Sequence, residues 1–81
     1  SRSGTWLNFG ARVAKGVAVI PPVWIGPRAV VESGARLGPN AAVDGRVAGG
    51  AEVVDAAVVD GEVAAGESLT SAIRAGGTTT R

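Results

Sequence analysis

Large aliphatic residues return every six positions along the first half of the chain: Leu7, Val13, Val19, Ile25, Val31, Leu37 and Val43. All seven are Val, Ile or Leu, which together fill 19 of the 81 positions. Seven in one preset register arise by chance with a probability of roughly one in ten thousand or less. A second column follows four residues behind the first: Ala11, Val17, Val23, Ala29, Ala35 and Ala41. Between the columns lie the triplets NFG, AKG, IPP, GPR, ESG and GPN, each with a Gly or Pro. Six is neither the helical period of 3.6 nor the strand alternation of 2.

Each hexad therefore reads as a short strand plus a corner. The large aliphatic and the small residue four later point inward, and Gly, Pro and Asn turn the chain between them. Three hexads close a triangular coil of 18 residues, and successive coils stack about 4.8 Å apart as parallel strands. At Val43 the period changes. Residues 42–57 align with 58–73 through Val43/Val59, Asp44/Asp60, Gly45/Gly61, Val47/Val63, Ala48/Ala64, Gly50/Gly66 and Ala56/Ala72, a repeat of 16. The prediction is an all-β fold, a single-stranded parallel solenoid of about four triangular coils. Its core ladder continues from Val43 through Val47, Val53, Val59, Val63 and Leu69. Residues 1–5 form a polar leader and 6–75 the solenoid, with 18-residue coils to about 42 and 16-residue coils over about 42–73. Residues 76–81 form a flexible tail.

Composition narrows the chemistry. One Phe, two Trp and no Tyr or Met accompany thirteen Gly, so the core is thin and built from Val and Ala. Without Cys there is no disulfide or thiolate, and without His the most common general base and metal ligand are missing. No run of 18 apolar residues or charged leader before an apolar segment occurs, so neither a membrane partner nor a signal peptide is expected, and the setting expected is cytoplasmic. Residues 1–40 carry five basic side chains and one acid, and residues 41–81 three basic and six acidic. The basic residues stand singly among turns, unlike the clustered patch and stacking aromatics of a nucleic-acid binder.

The hexad form, aliphatic–Gly–x–x–small–x, resembles the hexapeptide-repeat left-handed β-helix. The longer string is more specific. A Trp opens the repeat, Pro22-Val23-Trp24-Ile25-Gly26 forms a proline–valine–aromatic–isoleucine–glycine hexad, and Ala57-Val58-Val59-Asp60-Gly61 follows in a short coil. Together these look like the C-terminal domain of sugar-phosphate nucleotidyltransferases, mannose-1-phosphate guanylyltransferases in particular, with Ala57 where Ser is usual. Left-handedness is implied by this resemblance alone. So is the parent reaction, in which a nucleoside triphosphate and a sugar 1-phosphate give a nucleotide sugar and pyrophosphate. That chemistry, with its magnesium, belongs to a separate α/β domain. Its glycine-rich phosphate loop, catalytic Arg or Lys and metal-binding Asp are not found in these residues. The chain itself is thus expected to carry no catalytic residue, cofactor or metal.

Two constellations remain. Asp44 and Asp60 occupy matching places in two coils and could pair as carboxylates, but Asp before Gly is foremost a turn former that caps a nearby N–H. Trp6 and Trp24 stand one coil apart, each just before an inward aliphatic, so both should point outward. With Ala42 and Val58 they would form an apolar stripe, either covering the first coil or meeting a partner. The partner expected is a second copy or the catalytic nucleotidyltransferase domain. The alternatives are a self-associating structural or engineered module and, less favoured without His, an acyltransferase fragment.

Overall fold

A computed structural model describes residues 4–81; residues 1–3, most of the expected leader, lie outside the described residues. The described residues form twelve strands and no helix: β1 (Thr5–Leu7), β2 (Arg12–Val13), β3 (Ala18–Val19), β4 (Val23–Ile25), β5 (Val30–Val31), β6 (Arg36–Leu37), β7 (Ala41–Val47), β8 (Glu52–Val54), β9 (Ala56–Val63), β10 (Ser68–Thr70), β11 (Ile73–Ala75) and β12 (Thr78–Thr80). They stack as a parallel β-solenoid of about four coils.

Its three faces follow from the pairing. The first face runs β1-β4-β7-β9-β11 and ends with β12. The second joins β2 and β5 to the later halves of β7 and β9, and the third runs β3-β6-β8-β10. Trp6 pairs with Trp24 and Trp24 with Ala42, one 18-residue coil at each step. Thereafter Leu37 pairs with Val53 and Val53 with Leu69, 16 residues apart.

Short corners cause the change. The first two coils turn on triplets such as Gly38-Pro39-Asn40, whereas Val43 and Val47 are separated only by Asp44-Gly45-Arg46, and β7 bends through that corner without a break. Gly45 is buried there, and a Cβ on it would run into the carbonyl of Gly61 in the next coil. At the third corner two residues, Val54-Asp55, stand where Gly38-Pro39-Asn40 stood, and Asp55 takes φ 52° where Asn40 takes 60°. A short polar side chain is the type that tolerates this left-handed backbone.

These corners correct the ladder. The step from Val43 to its partner is 15 residues, to Val58, and a register shift between Asp44 and Arg46 then restores 16 at Arg46–Glu62. Val58 is fully buried and Val59 is 45% exposed. Val59 was expected in the core and Val58 on the surface; their places are exchanged. The other ladder residues from Ile25 to Leu69 are buried, together with Val23, Ala29, Ala35 and Ala41 from the second column. Each buried Val, Ile or Leu contributes roughly 1.5–3 kcal/mol relative to exposure. In the first coil Val13 and Val19 are half-buried, and Leu7 is 61% exposed.

The chain end is a second correction. Residues 76–81 were expected as a tail outside the fold, but Thr78–Thr80 form β12 and pair antiparallel with β11, Ile73 opposite Thr80 and Ala75 opposite Thr78. Thr5, placed in the leader, belongs to β1.

Candidate interaction face

The three faces differ in what they show to solvent. In the outward column of the second face Arg12, Val30, Arg46 and Glu62 are neighbours, and in that of the third Ala18, Arg36, Glu52 and Ser68. The first face carries Trp6, Trp24, Ala42, Ala57 and Ile73. Beside them run Asp44, Val59 and Ala75. Trp6 is 50% exposed, Trp24 42% and Ile73 55%.

Ala57, not Val58, therefore continues the tryptophan column. Val58 points into the core, and Ile73 extends the stripe by a coil that the spacing had not assigned to it. The stripe is bulky at both ends and hollow between. One hollow of about 240 Å³ lies among Trp6, Pro22, Trp24, Asn40 and Ala42, and another of about 560 Å³ among Asn40, Ala42, Asp55, Ala57 and Ile73.

Trp24 does not stand away from the sheet. A Cβ built on Gly26 would be 2.7 Å from the indole Cη2 and 2.5 Å from Asp44 Oδ1. The indole thus lies along its own strand, over the glycine. Asp44 is held by Arg28, accepting the backbone N–H at 3.0 Å and the guanidinium Nη2 at 3.1 Å. The Arg28 N–H, with the guanidinium helping and desolvation opposing, holds the Asp44 carboxyl below its ordinary range. The single carboxylate on this stretch of the face is thereby neutralised.

The paired-carboxylate possibility does not form. Asp44 lies opposite Val59, and Asp60 falls in the register shift with φ 52°. Asp44 instead binds an arginine N–H one coil away. A shallow cleft of about 620 Å³ runs along this corner past Arg28, Asp44, Arg46, Asp60, Glu62 and Arg74. Its three arginines are already committed: Arg28 to Asp44 at 3.1 Å, Arg46 to Glu32 at 2.6 Å and Arg74 to Glu67 at 2.6 Å. Glu32 is held below the ordinary range by Arg46 and by the Gly49 N–H. No group of three or more His, Cys, Asp or Glu able to hold a metal ion occurs among the described residues.

One arrangement escaped the sequence reading. Arg74 is the register partner of Val58, so an arginine follows Ile25, Val43 and Val58 in the inward column. Its guanidinium meets Glu67 with Nη1 on Oε1 at 2.9 Å and Nη2 on Oε2 at 2.6 Å. Nη1 also donates to the Glu62 carbonyl, and Nε donates to Thr79 Oγ1 in β12, both at 2.9 Å. The bidentate arginine, assisted by the Ala64 N–H, pulls Glu67 down to about 2. The available signal was a lone arginine where the ladder should hold an aliphatic. It was legible only with the 15-residue step known.

No family model, curated protein or solved structure matches the chain. The β-solenoid stands on the geometry alone.

Proposed function

We propose that this chain is a non-catalytic assembly module that joins protein bodies through its first face. The observation that carries the reading is the segregation of charge. The outward columns of the second and third faces include Arg12, Arg46 and Glu62, and Arg36 and Glu52, while that of the first shows two tryptophans, two alanines and an isoleucine in register. Exposed apolar area of this kind, with aromatic anchors beside hollows, is the composition of an interface centre. The favoured occupant is a second copy of the chain.

The resemblance refines the proposal. The parent would be a sugar-1-phosphate nucleotidyltransferase, with nucleotide, sugar phosphate and magnesium held by its catalytic domain and this solenoid serving assembly or regulation. The shortened coils and the Pro22–Gly26 hexad support that reading. An acyltransferase role is less favoured, because the chain lacks the His that most often serves as the base. The test is turnover. Incubated with a nucleoside triphosphate, mannose 1-phosphate and magnesium, the chain should release no pyrophosphate above background. Protein-dependent release would overturn a non-catalytic module.

A further inference from the structure

The first face differs from one end to the other. Its outward column reads Trp6, Trp24, Ala42, Ala57 and Ile73 on β1, β4, β7, β9 and β11. The large residues come first and the small ones follow. The Trp24 indole leans over Gly26, so on β4 its bulk covers the side nearer the corner between the first and second faces. Two strands on, β9 offers Ala57 and the exposed Val59 in the corresponding places.

Charge is graded along the same direction. Residues 4–40 carry four basic side chains and one acid, and residues 41–72 one basic and six acidic. The difference is sharpest at the corner beside the tryptophans. Arg28, just after β4, has a side chain 67% exposed and pairs with Asp44 at 3.1 Å. A guanidinium has five N–H donors, so Arg28 can serve a second carboxylate. Asp60 lies at the equivalent corner two coils on. It is exposed, and no ion pair reaches its carboxylate among the described residues.

We infer, resting on the first face as an assembly surface, that a second copy packs there with its coils in reverse order, about a two-fold axis parallel to the strands beside Ala42. Such a contact closes as a dimer. The two sheets face each other about 10 Å apart. β4 then lies on β9 of the second copy, with the Trp24 indole against Ala57 and Val59 of that copy. β1 lies on its β11, with Trp6 against Ile73. Arg28 faces Asp60 of the second copy, and symmetry supplies the pair twice. Asp44 meets its own equivalent near the axis, where each carboxylate is already held by Arg28. Coils in the same order would set tryptophan on tryptophan, leave the alanines facing across a gap and put basic coils beside basic ones. A shift of one strand would set Trp24 on Ile73 and Ala42 on Ala57. The reversed order centred on Ala42 joins large to small and basic to acidic.

The experiment is complementation in trans, read by sedimentation, with circular dichroism to verify β structure. The parent should be a dimer. Arg28→Glu and Asp60→Arg each place like charges at both corners, and each alone should raise the dissociation constant about tenfold at low salt. An equal mixture of the two should recover the parental affinity, because the mixed dimer has opposite charges at both corners. Single cysteines give a reading that needs no charge, in a chain that has no Cys of its own. A short bifunctional thiol reagent should join Arg28→Cys chains to Asp60→Cys chains in a mixture, and neither variant to itself. Should Asp60→Arg lose its β signal, the cysteine pair decides. A mixture as weak as its components, a single charge variant that dimerises like the parent, or thiol linkage within one variant would overturn the reversed order. With Trp24→Glu monomeric in the same conditions, any of these results would leave first-face assembly standing. A monomeric parent would overturn both.

Discussion

The indole of Trp24 lies over Gly26, near enough that a single methyl group on the glycine would stand 2.7 Å from Cη2. The strand side of the first face is flat at this point because residue 26 has no side chain. The Gly26→Ala variant should lift the indole and displace Asp44, both flexible side-chain ends, at a cost of about 1–2 kcal/mol. Trp fluorescence should shift while the fold survives. An unchanged spectrum would mean that the ring does not rest there.

Gly38 gives the contrasting case. Its φ is 92°, and a Cβ there would collide with the backbone carbonyl of Ile20. Backbone cannot swing aside as a side chain does, so Gly38→Ala should cost more than about 3 kcal/mol, beyond the usual range of single substitutions. Denaturant unfolding of the two alanine variants side by side measures the difference. Equal losses would contradict the distinction.

Val58 and Val59 are adjacent and identical in type, yet Val58 is buried and Val59 exposed. Val58→Ala should destabilise by about 1–3 kcal/mol through the cavity left in the core. Val59→Ala should stay within about 0.5 kcal/mol of the parent. The reverse order would restore the uniform 16-residue repeat.

Glu67 gives the last coil a dependence on acid. Its carboxyl titrates at about 2, below the ordinary 4.5, because the Arg74 fork and the Ala64 N–H favour the charged form. Folding therefore favours the ionised group, and the stabilisation is complete above about pH 4.5. It fades as pH falls toward 2, where the folded form also takes up the proton. The gap in Tm between the parent and Glu67→Gln should be constant at neutral pH and shrink over that window. A gap unchanged down to pH 2 would mean that the ion pair does not stabilise the last coil.

The fold was legible because the large aliphatics, the small second column and the Gly- or Pro-bearing triplets agree on one period through Val43. Beyond it, local identity misled. The Val-Asp-Gly strings at 43–45 and 59–61 align by eye, but the corner at Asp55 is one residue shorter than Gly38-Pro39-Asn40 and moves the register to Val58. Two neighbouring valines conceal such a slip, since either satisfies the pattern. The stripe survives in altered form, with Ala57 and Ile73 in place of Val58. The Arg74–Glu67 pair was not legible, because a carboxylate meeting an arginine leaves no periodic trace, and Thr78–Thr80 read as a polar end until β11 is there to pair with.

Sedimentation of the full chain beside Trp24→Glu tests the first face as an assembly surface most directly. The substitution puts a charge within the apolar stripe without touching the core ladder. The parent should sediment as a small closed oligomer, and the variant, with its β structure intact, as the 8.0 kDa monomer. A parent already monomeric at high concentration, or a variant that sediments with the parent, would contradict the assignment.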